Sequence, residues 1–427
     1  MEKYVVKGGC RLQGSVEISG SKNAVVAIIP ATILAEDTCV IENIPNISDV
    51  SVMIKILSDI GAKVRLINKT TLEINTTGVF AHTVPHEEAR KLRASYYFLG
   101  AFLSRFSEAS VAMPGGCDLG VRPIDQHIKG FEALGAEYSI DHGMISLKAK
   151  ELAGNQVFFD CNTVGGTMNV MLAAVKAKGM TMIENAAKEP HIVDLANCLN
   201  SMGADIRGAG TDVIRIRGVE KLHGTTYAII PDQIEAGTFM VAAAATGGDV
   251  LIKNVIPKHL EPITSKLDKM GVTIEEYDDS IRVSRSGPLS KINIKTMPHP
   301  GYPTDMQPQT TVLLTQAEGT SIVTEEIFDN RFRYVDELRL MGANIQVDGK
   351  VAVVEGGARL TAAPVRATDL RAGAALIIAA LTARGDTEIE DIYHIERGYE
   401  NLEEKFRSLG AQIKKVSVPS KSMLQAL

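Results

Sequence analysis

A cysteine in a loop rich in glycine and charge is the first candidate for chemistry. The stretch MPGGCDLGVRPID, residues 113–125, places Cys117 after two glycines and Arg122 five residues further on. A thiol near a cation and a helix start is expected to have a lowered pKa and more thiolate character. The residue types leave the roles of nucleophile, acid and redox switch open, beside that of an incidental loop cysteine.

Cationic side chains recur at corresponding places along the chain. Arg331 and Arg397 occupy loops equivalent to the one that holds Arg122, and Lys22, in SGSKNA, stands at the start of an apolar helix. Guanidinium groups match phosphate and carboxylate geometrically, and helix N-termini add positive potential. We therefore expect these residues to converge on an anion, although Lys22 also suits a solvated capping turn.

Acidic and basic residues also precede other apolar helices. Asp305, in YPTDMQ, suits either a helix N-cap or a general base, because a carboxylate beside several arginines stays ionised and ready to accept a proton. Asp369 is the expected cap of a later helix, with Arg371 as a further cation. For Arg93 alone, a surface charge is the simpler interpretation.

Composition restricts the classes of function. The chain has 427 residues and a formal net charge of -6, and nothing in it indicates a nucleic-acid binder, which would need a basic excess or a basic stripe. The start of the chain has no apolar signal region, and the apolar runs at 236–246 and 372–383 are shorter than the ~18 residues of a membrane span. We expect a soluble cytoplasmic protein without membrane insertion.

The five cysteines are scattered, without paired spacing or a neighbouring histidine cluster. Disulfides and zinc sites are therefore not expected. The four cysteines other than Cys117 are expected to be small buried hydrophobic residues.

One sequence unit of about 70 residues occurs six times, marked by a glycine between apolar positions. These glycines are Gly61, Gly135, Gly203, Gly271, Gly342 and Gly410. Each unit holds an Ala-rich helix that is apolar nearly all round, a short strand, a loop, an amphipathic helix that ends at the glycine, and one or two closing strands. The pattern predicts an α/β fold in which sheets and outer helices surround buried helices.

Eight motifs in one order give a more specific indication. They are SGSKNA, LRAS, PGGCDLGVRPID, PDQIEAGTF, YPTDMQ, FDNRFRYVDEL, ATDLRAGAAL and IYHIERGYE. With them the chain closely resembles, over essentially its whole length, the UDP-N-acetylglucosamine 1-carboxyvinyltransferase family of enolpyruvyl transferases. The resemblance implies a two-domain inside-out α/β barrel with three repeats in each domain. Domain 1 would comprise 22–229 and carry the cysteine loop, domain 2 would comprise 1–21 plus 230–427, and the active site would lie in the cleft between them.

The resemblance also implies a reaction. Enolpyruvyl passes from phosphoenolpyruvate to the 3-hydroxyl of UDP-N-acetylglucosamine by addition and elimination, with release of phosphate. This is the first committed step of peptidoglycan synthesis, and so of cell wall biogenesis, cell shape, cell cycle and cell division. The family uses no metal or organic cofactor.

Residue roles follow from the matching motifs. The catalytic residues would be Cys117, as proton donor and site of a covalent phosphoenolpyruvate adduct and of fosfomycin alkylation, and Asp305, as base for the sugar hydroxyl. The substrate-binding residues would be Lys22, Asn23, Arg93, Arg122, Pro123, Ile124, Asp125, Gln126, Ile327, Arg331, Arg371 and Arg397. Two departures from the family pattern, DCNTVGG at 160–166 and Gln233 in place of an arginine, are expected to tune affinity or closure.

Two other functions remain open at this stage. A 3-phosphoshikimate 1-carboxyvinyltransferase shares the fold and the cations, but its loop lacks the cysteine. A non-catalytic paralogue would bind the sugar nucleotide without turnover, although every catalytic position is filled here.

Overall fold

A computed structural model describes residues 2–113 and 124–417. Three residues singled out above, Cys117, Arg122 and Pro123, lie outside the described residues.

The described strands form six four-stranded sheets of one design. In each sheet an edge strand runs parallel to its neighbour, and the next two pairings are antiparallel. In chain order the strands are β1 Glu2–Lys7, β2 Gln13–Glu17, β3 Thr38–Glu42, β4 Lys63–Asn68, β5 Thr71–Asn75, β6 Thr83–Val84, β7 Glu108–Ala112, β8 Glu137–Asp141, β9 Met144–Lys148, β10 Gln156–Phe158, β11 Met180–Glu184, β12 Asp205–Arg207, β13 Val213–Arg217, β14 Thr226–Ala228, β15 Asp249–Lys253, β16 Thr273–Glu276, β17 Ser280–Ser284, β18 Ile294–Lys295, β19 Thr320–Thr324, β20 Asn344–Asp348, β21 Val351–Glu355, β22 Pro364–Arg366, β23 Asp386–Glu390 and β24 Gln412–Ser417. The sheet orders are β14-β3-β5-β4, β6-β7-β9-β8, β10-β11-β13-β12, β16-β17-β15-β2, β18-β19-β21-β20 and β22-β23-β1-β24.

The α-helices alternate with these strands. They are α1 Lys22–Ala31, α2 Ser48–Asp59, α3 His86–Ala89, α4 Tyr97–Phe106, α5 Asp125–Ala133, α6 Val164–Ala174, α7 Pro190–Ser201, α8 Gln233–Ala245, α9 Pro257–Lys269, α10 Gln307–Leu314, α11 Val335–Leu340, α12 Leu370–Thr382, α13 Tyr393–Glu396 and α14 Leu402–Ser408. The six apolar helices α1, α4, α6, α8, α10 and α12 are buried over most of their residues, as their composition predicts. None of the described helices combines the length and hydrophobicity needed to cross a bilayer.

The six repeat glycines share one backbone conformation. Each follows an amphipathic helix and has a φ between 89° and 104°. Glycine reaches this left-handed region without a Cβ penalty, which is why the sequence ends each outer helix with it. The predicted C-caps and the six repeats are confirmed.

The described residues divide into two compact units. The N-terminal unit comprises 20–113 and 124–230, and the C-terminal unit comprises 2–19 and 231–417. Each unit has its own hydrophobic core. In the C-terminal unit, β1 pairs with β23 and β24, and β2 pairs with β15. The domain assignment made from the sequence stays a prediction.

The expectation for the cysteines is correct in part. Cys39 and Cys198 are buried, whereas Cys10 is half-buried and Cys161 is exposed. The prediction is wrong for Cys161 because this residue lies in the bend between β10 and α6, outside any strand or helix that would bury it.

Candidate active site

Asp305 is held by two arginines of the C-terminal unit. Its Oδ1 lies 3.1 Å from Nη2 of Arg331, and its Oδ2 lies 3.2 Å from Nη2 of Arg371. The arginine side chains are 1% and 3% exposed, whereas that of Asp305 is 27% exposed. The carboxylate therefore reaches solvent while two buried cations stabilise its charged form.

Local structure places each member of this group. Asp305 lies inside the 3₁₀ turn Thr304–Met306, whereas the N-cap positions of this turn and of α10 are Pro303 and Met306, so its alternative interpretation as an N-cap is wrong. Asp369 does cap α12, accepting hydrogen bonds from the backbone N–H of Arg371 at 2.8 Å and from that of Ala372 at 3.0 Å. This cap fixes Arg371 in the first turn of the helix.

The hydrogen-bond donors of these two arginines are only partly used within the described residues. Burial lowers the pKa of Arg371, but the neighbouring Tyr399 and Asp305 raise it by more, so that it lies above its ordinary value. Nε of Arg331 and Nη1 of Arg371 are buried and have no hydrogen-bond partner among the described residues. Because an unpaired buried donor is costly, these N–H groups are suited to an anionic ligand.

Ile327 and Arg397 also belong to the C-terminal unit. Ile327 is exposed, in the loop that follows β19. Arg397 is half-buried and directly follows α13. The pKa of the nearby His394 is lowered, mainly by burial and next by the charge of Arg397. Arg397 therefore contributes positive charge beside His394, and Asp369 and Asp391 oppose it.

Lys22 begins α1 in the N-terminal unit. Ser21 caps the helix by accepting a hydrogen bond from the N–H of Ala24 at 3.4 Å. Nζ of Lys22 lies 3.4 Å from Oδ2 of Asp49, a carboxylate whose side chain is 2% exposed. Asn23 follows in the first turn and is half-buried. Lys22 is therefore fixed by an ion pair and is not a solvated surface lysine.

Arg93 begins a 3₁₀ turn that leads into α4. Its guanidinium carbon lies 5.8 Å from the centre of the Tyr96 ring, a cation–π distance. Arg93 is half-buried, so part of its side chain still reaches solvent, and its role stays a prediction.

The start of α5 carries the remaining predicted residues. Ile124 precedes the helix, and Asp125 is its first residue. The buried Gln126 donates to the carboxylates of Asp125 at 2.8 Å and Asp160 at 3.2 Å, and it accepts from the N–H of Asp160 at 3.0 Å. Gln126 thus joins α5 to the DCNTVGG stretch.

The predicted residues therefore fall into groups. Asp305, Arg331 and Arg371 are in direct contact in the C-terminal unit, where Ile327 and Arg397 also lie. Lys22, Asn23, Arg93, Ile124, Asp125 and Gln126 belong to the N-terminal unit. The described part of the chain holds no cluster of three or more histidine, cysteine or acidic side chains able to bind a metal ion.

Two carboxylates in these groups were not singled out from the sequence. Asp49, on α2, pairs with Lys22, and only the fold brings these two helices together. Glu325 follows β19 at a position where three other repeats have asparagine. This departure from the repeat could have identified Glu325 from the sequence.

Comparison with known proteins assigns a family. The family model described as EPSP synthase (3-phosphoshikimate 1-carboxyvinyltransferase) matches residues 6–406. UDP-N-acetylglucosamine 1-carboxyvinyltransferase 3 of Caldanaerobacter subterraneus subsp. tengcongensis is 58% identical over 97% of this chain and 99% of its own length. UDP-N-acetylglucosamine 1-carboxyvinyltransferase of Clostridium botulinum is 57% identical over the same shares.

Solved structures agree on the fold. The enolpyruvyl transferase NikO from Streptomyces tendae matches with a TM-score of 0.90 and 27% identity, over 98% of this chain and 99% of that chain. EPSP synthase from Acinetobacter baumannii matches with a TM-score of 0.76 at 19% identity, over 98% of this chain and all of that chain, which bears on the fold alone. The predicted two-domain inside-out α/β barrel of the enolpyruvyl transferases is confirmed.

Proposed function

This chain belongs to the UDP-N-acetylglucosamine 1-carboxyvinyltransferase family of enolpyruvyl transferases, and we propose that it moves enolpyruvyl from phosphoenolpyruvate to the 3-hydroxyl of UDP-N-acetylglucosamine. The observation that carries the proposal is the 58% identity to a relative of that name over nearly the full length of both chains. The chain is accordingly a transferase of peptidoglycan and cell wall synthesis.

The reaction proposed is an addition followed by an elimination. The 3-hydroxyl oxygen attacks C2 of phosphoenolpyruvate, its proton passes to a base, and C3 takes up a proton, which gives a tetrahedral intermediate. C3 then loses a proton as the C2–O bond to phosphate breaks. The products are the enolpyruvyl ether of the sugar nucleotide and inorganic phosphate.

We assign Asp305 as the base for the sugar hydroxyl. Its partial exposure lets a substrate approach, and its contacts with Arg331 and Arg371 orient both carboxylate oxygens. A base must lie within hydrogen-bond reach of its proton, and a carboxylate held from two sides keeps that geometry. Cys117 is assigned as proton donor to C3 from its motif.

The remaining assignments concern the anionic substrate. Phosphoenolpyruvate carries a phosphate and a carboxylate, so it needs several cations in a protein whose net charge is -6. Lys22, Arg122 and Arg397 are assigned to it, with Asn23 beside them. Sugar-nucleotide contacts are assigned to Arg93, to the run from Arg122 to Gln126, and to Ile327, with Arg331 and Arg371 as flanking cations.

Several finer features complete the proposal. We place the protein in the cytoplasm, where both substrates are made, and expect it to support cell shape, cell cycle and cell division through the wall precursor. We also propose inhibition by fosfomycin through alkylation of Cys117. No partner beyond the two substrates is proposed.

Phosphate release from phosphoenolpyruvate tests the function. Release with UDP-N-acetylglucosamine, and none with shikimate 3-phosphate, is the expected result. The opposite preference would identify a shikimate enzyme. Tight binding of the sugar nucleotide without release of phosphate would identify a non-catalytic paralogue, and either outcome would refute the proposal.

A further inference from the structure

In each sheet one strand pairs with the parallel edge strand. The residue that directly follows this strand has the same structural role in three of the six repeats, after β3, β11 and β15. There an asparagine with a φ near 55° donates its side-chain amide to the carbonyl that follows the parallel neighbour strand. The pairs are Asn43 with Ile229 at 2.8 Å, Asn185 with Phe159 at 2.9 Å, and Asn254 with Ile18 at 2.7 Å. The repeat therefore uses this position as a donor that closes the sheet edge.

Glu325 replaces the asparagine in the fifth repeat and reverses that role. It is fully buried, and its Oε1 accepts hydrogen bonds from Oγ1 of Thr304 at 3.0 Å and from the N–H groups of Ile327 at 3.0 Å and Phe328 at 3.1 Å. A buried carboxylate survives only when such donors compensate its charge, and charge-assisted hydrogen bonds are stronger than neutral ones. The substitution thus places a buried acceptor where three other repeats have a donor, and its second oxygen, Oε2, is buried without a hydrogen-bond partner among the described residues.

The three donors come from the two segments that carry the base and its neighbours. Thr304 precedes Asp305, and the carbonyl of Thr304 also accepts from Nη2 of Arg331 at 3.0 Å. Ile327 and Phe328 lie in the loop that leads to Arg331. One carboxylate therefore fastens the turn of Asp305 to the loop of Ile327 and Arg331.

We infer that Glu325 is a positioning residue for the transfer, because it holds the turn of Asp305 against the loop that carries Ile327 and Arg331. Its kinetic consequence rests on the proposed function, whereas its role in ordering the loop does not. A misplacement of about 1 Å can cost about 100-fold in rate, so a loosened turn should lower turnover although no reacting group is removed.

Hydrogen exchange tests the ordering role without any catalytic assay. In Glu325→Ala the amides of Ile327 and Phe328 should exchange faster, because their acceptor is gone. Glu325→Gln keeps an oxygen acceptor and should retain most of the protection. Asn254→Ala is the matched control, since it removes the corresponding side chain from the preceding repeat and should leave these amides protected. Unchanged exchange in Glu325→Ala would overturn the inference.

Steady-state kinetics test the catalytic consequence. Glu325→Ala should lower kcat by about 100-fold at a temperature where circular dichroism shows it folded, with rescue by Glu325→Gln and little change in Asn254→Ala. Should Glu325→Ala not fold, Thr304→Val removes one donor and should give a smaller loss of the same kind. A wild-type kcat in folded Glu325→Ala would overturn the inference. If Glu325→Ala does not fold, a wild-type kcat in Thr304→Val would overturn it instead. An Asn254→Ala variant that loses as much turnover as the tested variant would also overturn it. A wild-type chain inactive with UDP-N-acetylglucosamine would instead refute the proposed function and leave exchange to decide the ordering role.

Discussion

Removing the carboxylate of Asp305 should separate its electrostatic role from its chemical one. Asp305→Ala leaves the buried guanidinium groups of Arg331 and Arg371 without their counter-ion. Breaking a fully buried ion pair costs about 3–5 kcal/mol, and the 27% exposure of Asp305 screens part of this cost. We therefore expect the free energy of unfolding to fall by about 2–3 kcal/mol. Loss of a general base should also lower kcat by about 100- to 10,000-fold.

An exposed ion pair of the same unit gives the matched control. Asp336 lies 2.7 Å from Arg339, and its side chain is 79% exposed. Asp336→Ala should cost no more than about 1 kcal/mol and leave turnover unchanged. Urea unfolding followed by circular dichroism measures stability, and phosphate release measures turnover. Equal stability of Asp305→Ala and Asp336→Ala would refute the electrostatic reasoning, and near wild-type turnover of Asp305→Ala would refute its assignment as the base.

Three further predictions address the caps, a buried acid and the cysteines. Gly410→Ala should lower the free energy of unfolding in urea by about 1 kcal/mol, because alanine must adopt a φ near 95° there. Gly287→Ala is the control and should not lower it, because the added Cβ has no atom within 4 Å and the backbone is not in the left-handed region. Burial raises the pKa of Asp194 to about 6, so wild type should lose about 2 kcal/mol of unfolding free energy relative to Asp194→Asn as the pH rises from 4 to 6.5. Fosfomycin should add once to the wild type and to Cys161→Ser, but not to Cys117→Ser, because partial desolvation and then nearby acidic groups raise the pKa of Cys161 and disfavour its thiolate.

Each of these predictions has an outcome that would contradict it. Equal stabilities of the two glycine variants would mean that the left-handed cap carries no strain. A difference between Asp194→Asn and wild type that does not change with pH would mean that Asp194 ionises normally in the folded chain. An intact mass showing the adduct on Cys117→Ser would place the reactive thiol elsewhere.

The sequence predicts what depends on local conformation and repetition. The six glycines identify helix ends because only glycine enters the left-handed region freely, and their spacing gives the repeat. The cap at Asp369 follows from its place before an apolar helix. Apolarity on every face likewise identifies the six buried helices.

Long-range placement could not be read in the same way. A pattern such as YPTDMQ allows Asp305 to be a cap or a base, and the structure decides against the cap by placing Asp305 inside the 3₁₀ turn Thr304–Met306, where Arg331 and Arg371 reach it from other segments. The partner of Lys22 lies on another helix, so spacing gives no clue to Asp49. Cys161 is exposed because a bend follows β10, a boundary that composition alone does not fix.

The most direct test of the central claim is the mass of the sugar nucleotide after incubation with the protein and phosphoenolpyruvate. The account predicts that UDP-N-acetylglucosamine gains one enolpyruvyl group, in step with the phosphate released, and that this gain is lost in Asp305→Ala. Recovery of unchanged UDP-N-acetylglucosamine from the wild-type reaction would contradict it.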